Sequence, residues 1–179
     1  MDIAKQLEQI KQEMEEIKDK NKNKLSMVVF SGDLDKLLAA FIIATGAVAM
    51  GMEVVMFFTF WATPAMRDQK KKGKGKDFFG KMFSFMLPKG AQKVKLSKMN
   101  MGGMGTAMMK SLMKKKNVQS LDQMIELAAE LEVRIFICEM SMDLMGFKRE
   151  EMLDFPGIEY VGVAKFLAEA GDSSIQLFI

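Results

Sequence analysis

The chain has one soft nucleophile, Cys138, the single cysteine among 179 residues. It stands where the β-branched and aromatic run Val133-Arg134-Ile135-Phe136-Ile137 stops. A helix-start pattern follows and ends at Gly146, with Ser141 or Asp143 available as a cap. A strand ending in a thiol that faces a helix start is a plausible reactive arrangement, because backbone N–H groups and the positive end of the helix dipole favour thiolate over thiol. The competing reading is a structural cysteine buried at the end of a core strand, since free cysteine is among the most buried residue types. The local sequence leaves both open.

Composition narrows the chemistry around that thiol. There is no histidine, which removes Ser-His-Asp and Cys-His arrangements, imidazole metal ligands and histidine acid–base work. One cysteine allows no intrachain disulfide and no zinc-holding cysteine cluster. Metal and resident cofactor are therefore not expected, and chemistry falls to Cys138, carboxylates, hydroxyls or lysines. A nucleotide or flavin site rests on the sheet type alone and carries little weight. The net charge is only +3, with lysines gathered at Lys70–Lys98 and Lys110–Lys116. No recognised nucleic-acid motif accompanies them, so nucleic acid is not an expected partner. The charged N-terminus lacks a signal-peptide pattern, and the apolar stretch Leu37–Phe60 is broken at Gly51–Glu53. A reducing, cytoplasmic setting is expected. The chain also carries 20 methionines, which suit adaptable cores and apolar surfaces.

The elements that must position the thiol follow from periodicity. Residues 1–24 are read as an amphipathic helix and linker: Ile3, Leu7, Ile10, Met14 and Ile17 are spaced four, three, four, three, a coiled-coil seam, and Asn21–Lys24 form a polar linker. The seam packs either on other subunits, which the narrow stripe favours, or on its own domain. Residues 25–179 are read as an α/β domain. Leu25–Phe30 is a strand, Ser31-Gly32-Asp33 a turn with Ser31 or Asp33 as cap, and Leu34–Met50 a buried helix. Glu53–Phe58 is the next strand, continuing as Thr59-Phe60-Trp61. This is a βαβ unit, hence parallel, and its apolar runs expect helices on both faces. The stretch 64–105 is an insertion with a basic run, Lys70–Lys76, read as a solvated loop. The Phe- and Met-rich segment 77–87 beside it suits a membrane surface, a lid or a subunit contact. Gly102 and Gly103 mark a loop needing positive φ before a helix at Thr106–Lys115. Ser120 with Gln123 forms a capping box for the next helix. After Cys138 come Met140–Met145, a helical turn near Lys148–Leu153, strand Ile158–Val161, helix Val163–Glu169 with Gly171 as C-cap, and strand Ser174–Ile179. About five strands alternate with helices in an open α/β sheet. Sites in such sheets lie beyond the carboxyl ends of the strands, which puts Ser31-Gly32-Asp33, Thr59-Phe60-Trp61, Cys138 and Gly162 on one rim.

These pieces together resemble the DsrE/DsrF-like sulfur-relay family, specifically its second DsrE subgroup, sometimes labelled peroxiredoxin-like. The matching segments are Phe30-Ser31-Gly32-Asp33 with Asp35-Lys36, Phe57–Trp61, Met99–Thr106 and Cys138–Gly146, over roughly residues 25–179. The resemblance implies a flavodoxin-like, mainly parallel α/β fold, a homo-oligomer, and a cysteine that carries sulfur as a persulfide. It implies rhodanese-like or TusA-like sulfur carriers as partners. Cys138 is the residue carried over as the sulfur site. Ser141 and Asp143 would position it, beside Met140. Phe60, Trp61 and the loop at Gly102 and Gly103 would shape a pocket with Thr59 and the Ser31 turn. Relatives appear with a second cysteine; this chain has none, so an internal cysteine relay is excluded. Nothing beyond the thiol supports peroxidase chemistry. Two functional readings follow: a single-thiol sulfur carrier, or a non-catalytic oligomeric or membrane-associated adaptor that works through residues 70–90.

Overall fold

The structure is a computed structural model that describes residues 3–20 and 22–179; the side chains of residues 4, 15–20 and 22, including that of seam residue 17, lie outside the described set. Five parallel strands form one sheet: β1 (Lys22–Val29), β2 (Glu53–Phe58), β3 (Arg134–Cys138), β4 (Ile158–Val161) and β5 (Ser173–Phe178), in the order β4-β3-β2-β1-β5. All five carboxyl ends therefore lie on one rim. The helices are α1 (Ile3–Lys20), α2 (Leu34–Ala49), α3 (Phe78–Met86), α4 (Met104–Lys115), α5 (Leu121–Glu130), α6 (Glu139–Met145) and α7 (Val163–Gly171).

The expected linker at 21–24 is not what the chain does. β1 begins at Lys22, because its polar residues find partners: Lys24 is 2% exposed and pairs with Glu169, and the Ser26 hydroxyl shares a 2.7 Å bond with Ser173. Residue 21 lies outside the described set. One side of the sheet packs Met27, Met56, Phe58, Ile135 and Ile137 against Leu37 and Phe41 of α2 and Leu121, Met124 and Ile125 of α5. The other side packs Val55, Phe57, Phe136 and Cys138 against Phe166 and Ala170 of α7. The capping box at Ser120 and Gln123 is present, with Ser120 Oγ accepting from Gln123 N and Gln123 Oε1 accepting from Ser120 N.

Three local expectations give way. Thr59–Trp61 does not extend β2; a 3₁₀ helix, Phe60–Met66, turns the chain away, with Phe60 at φ 43°. Gly171 is not a cap: α7 runs through it, and Asp172 ends the helix. The basic run is only partly a solvated loop. Lys71 reaches Asp154 at 2.6 Å, and Lys76 and Arg67 both bind Glu151, at 2.5 and 3.0 Å. Burial pushes the Glu151 carboxyl up, but Lys76, the Lys148 N–H and Arg67 hold it below the usual range. The Arg67 guanidinium, 2% exposed, lies over the Phe147 ring at 4.5 Å, and among the described residues its Nε and Nη1 find no acceptor. This buried cluster fastens the insertion to the segment after α6. α3 docks there too: Asp77 accepts from Gly80 N at 2.8 Å. A Cβ on Gly146, at φ 65°, would sit 2.4 Å from the Gly80 Cα, so helix end and helix start meet at two glycines.

Candidate functional site at the carboxyl rim

β3 delivers Cys138 to the rim, where it is the N-cap residue of α6. Neither Ser141 nor Asp143 caps that helix, which starts three residues earlier than a Ser141 cap requires. Ser141 is instead fully buried and shares a 2.8 Å hydrogen bond with the Thr59 hydroxyl, tying the first turn of α6 to the end of β2. Asp143 is exposed, as is Met140 at 57%. Cys138 is 4% exposed and faces the α7 side, among Phe136, Phe57 and Phe166, with half-buried Val161 beside it. Strand alternation fixes this: Ile135 and Ile137 take one side and Phe136 and Cys138 the other.

The remaining rim residues gather at a different place. Ser31, Gly32, Asp33 and Trp61 line a cavity of about 770 Å³, roofed by Phe85, Leu87 and Lys89 of the insertion. Gly32 is required there, since a Cβ would lie 2.0 Å from the Trp61 carbonyl oxygen. Asp33 is the N-cap residue of α2 but makes no capping bond; its carboxylate accepts from the Ser31 hydroxyl at 2.9 Å and pairs with Lys36 at 3.2 Å. Lys36, Lys89, Lys93 and Lys95 make the cavity mouth electropositive, with Asp33 the carboxylate among its lining. Burial pulls the Lys89 amine below its ordinary range, and the nearby Arg67 charge adds to this. Phe60 lies tilted against Phe30, with ring centroids 5.6 Å apart, and is not in the cavity lining. Cys138 is not in that lining either.

The methionine–glycine loop is a third feature, separate from both. Gly102 and Gly103 adopt φ of 69° and 106°. The loop is shaped from within: Thr106 accepts from Leu96 N and donates to Asn100, and Asp35 accepts both the N–H and the hydroxyl of Ser97. Burial pushes the Asp35 carboxyl up, but the two bonds from Ser97, its own backbone N–H and the Lys36 charge together hold it below its usual range. Asn100, Thr106 and Asp35 thus shape backbone, and neither Gly102 nor Gly103 lines the rim cavity.

Sequence reasoning missed Arg67, Lys76 and Glu151, the buried charges that hold the insertion. Arg67 follows the apolar Ala65-Met66, and Glu151 sits in the acidic Glu150-Glu151 pair. Neither local pattern announces a pairing across 84 residues.

An open, wholly parallel five-stranded sheet with helices on both faces and a thiol at the carboxyl end of an inner strand defines an open-sheet α/β protein. Comparison with known proteins makes the class specific: the chain belongs to the DsrE/DsrF/DrsH-like family, whose sequence profile matches residues 21–178. It is 49% identical over 154 residues to the uncharacterized protein YrkE of Bacillus subtilis, covering 86% of this chain and 95% of that one. It is 38% identical over 160 residues to the sulfur carrier protein DsrE2 of Allochromatium vinosum, covering 87% and 98%. The crystal structure of the ychN protein from E. coli superposes with a TM-score of 0.50 at 14% identity, over 87% of this chain and 98% of that one, and shares the fold. Family and relative together support a role in sulfur relay. Among the described residues, no helix is long and apolar enough to cross a membrane.

Proposed function

We propose that this chain carries sulfane sulfur between proteins on Cys138. The observation behind the reading is the place of the only thiol, at the carboxyl end of β3 and the start of α6, in a chain similar over most of its length to a named sulfur carrier. In the step, the Cys138 thiolate attacks the outer sulfur of a donor persulfide. The donor S–S bond breaks, the donor thiolate leaves, and Cys138 holds the persulfide; an acceptor thiolate then takes the same outer sulfur. No net oxidation occurs. With no second cysteine, both partners are other proteins, and rhodanese-like and TusA-like carriers are the donors and acceptors we envisage. Ser141, held by Thr59, fixes the α6 turn beside the thiol, with Met140 and Asp143 on its outer side. The electropositive cavity at Ser31, Gly32, Asp33 and Trp61 is where an acidic partner surface would settle, and the loop of Gly102 and Gly103 lies apart from it. The protein works as a cytoplasmic homo-oligomer in this reading. Because Cys138 is only 4% exposed, transfer requires α7 or the Val161–Val163 corner to open first.

Mass spectrometry after incubation with polysulfide tests the reading. We expect a gain of one or more sulfurs that dithiothreitol reverses and that Cys138→Ser abolishes. No gain in the native chain, under conditions that load a control carrier, sinks it.

A second reading has its own observation. Phe78, Phe79, Phe85 and Met86 of α3 are 61–92% exposed, and Lys70, Lys72 and Lys81, near them in sequence, are exposed as well. An apolar flank with lysines around it suits the surface of an anionic membrane. Flotation with phosphatidylserine vesicles should be lost in Phe79→Ser/Phe85→Ser; equal recovery of variant and native chain rejects the membrane role.

A further inference from the structure

The apolar stripe of α1 is uncovered. Ile3, Leu7, Ile10 and Met14 are 73%, 54%, 53% and 58% exposed, although they lie on one face of an 18-residue helix. Four large side chains in a row left in water point to a partner. We propose that α1 is an assembly helix, joining three or four copies of this chain in a parallel bundle.

The sequence register selects that occupant. With Leu7 and Met14 at heptad position a, the isoleucines Ile3, Ile10 and Ile17 occupy d. Leucine at a with isoleucine at d disfavours the two-stranded coil and shifts preference to three or four strands. More strands also bury more of each stripe, which matters because two and a half heptads are marginal for a lone helix in water. Charge sets direction. Glu13 falls at g and Lys18 at the following e, so neighbouring parallel helices bring opposite charges together. An antiparallel pair sets e against e, where this chain has Lys11 and Lys18. Charge also speaks against a lipid occupant: residues 1–20 hold six acidic side chains and four lysines, the reverse of a helix drawn to anionic headgroups. The inference does not rest on the sulfur chemistry.

Sedimentation velocity and native mass spectrometry of the full chain test the number of copies. The native protein should be a trimer or tetramer. Leu7→Glu/Ile10→Glu should lower the mass or weaken assembly at least tenfold, and Met14→Glu should do so in part. Gln9→Glu/Gln12→Glu adds the same charge at outward positions c and f and should leave the mass unchanged. The stripe is exposed in the single chain, so these changes should leave the unfolding transition of the α/β body in place; the single Met14→Glu reads the same effect with less disturbance. Direction is read in an Ile3→Cys/Cys138→Ser chain: mild oxidation should link copies through like d positions. A native monomer or dimer, a Leu7→Glu/Ile10→Glu variant of native mass, or an intact assembly that forms no such link overturns the proposal.

Discussion

Ile135 and Ile137 leave β3 toward one side of the sheet, Phe136 and Cys138 toward the other, and the two sides are built differently. The first side lies under α2 and α5, with Phe41, Phe58 and Leu37 wholly out of water. Among the described residues the second is covered by α7, a nine-residue helix whose Val163 and Leu167 are 58% and 60% exposed. At its edge β5 leaves Phe178 71% exposed. The two sides are thereby closed to different depths. The covered side is deep enough to hold the fold, while the thinly covered side keeps the thiol under one small element. Local opening of such an element takes less free energy than global unfolding. The proposed carrier role of Cys138 needs this asymmetry, since it requires a thiol that is sealed at rest and reached by a small movement.

The largest expected effect belongs to the deep side. Phe58 is fully buried, with its ring 5.9 Å from that of Phe41. Phe58→Ala should cost about 4 kcal/mol in denaturant unfolding, the transfer loss plus a cavity that the flanking helices cannot close. The reactivity of Cys138 toward a thiol reagent in the folded state should change little. A large rise in labelling would show that the two sides are not independent.

Next is the charge that holds α7 down. Glu169 on α7 pairs with Lys24 of β1, with Arg134 of β3 at 3.0 Å and with Lys165 at 3.2 Å. Burial pushes its carboxyl up, but hydrogen bonds from Lys24, Arg134 and Lys165 outweigh this and hold it at about 2, against 4.5 ordinarily. A lowered folded-state value means that the unfolded chain takes up the proton first. The stabilisation is therefore present in full above pH 4.5, declines below it, and is gone below about 2. The difference corresponds to on the order of 3 kcal/mol. Unfolding measured between pH 7 and 2 should show this decline, and Glu169→Gln should remove its part of the slope. The variant should also be less stable at neutral pH, because it leaves Lys24 buried without its charge partner. Identical pH profiles for the two proteins would disprove the anchoring role.

The sequence made the scaffold legible wherever the signal was local. Apolar runs marked the strands, Ser120 and Gln123 marked a helix start, and Gly146 marked a helix end at φ 65°. The parallel sheet and the place of Cys138 at its rim followed from those runs. What failed to show was set by distant partners. Ser141 looks like a cap, yet its hydroxyl is used by Thr59, 82 residues away. Lys22–Lys24 looks like a linker until Glu169 buries one of its lysines. The side that Cys138 faces was not readable either. A strand covered on both sides is apolar at every position, so alternation carries no sign of which side is which. Proximity among the rim residues was readable only as a shared edge. Ser31, Gly32, Asp33 and Trp61 meet in one cavity because the insertion returns over them, and nothing local encodes that return.

The smallest effect on stability should accompany the clearest effect on the thiol. Phe166 of α7 stacks on Phe57 of β2, with centroids 4.9 Å apart and planes 15° apart, and shares a cluster with Cys138. Phe166→Ala should cost about 2 kcal/mol, less than a deep-core phenylalanine, because this side already borders solvent and can partly collapse. Removal of the ring takes away the contact that seats α7 beside Cys138. Labelling of Cys138 by a maleimide in the folded state should accelerate at least tenfold, while Phe58→Ala leaves it near the native rate. If both variants label alike once corrected for global unfolding, the thiol is reached through unfolding of the whole domain and not through α7. If Phe166→Ala alone labels fast, the thin side is the route to the Cys138 thiol.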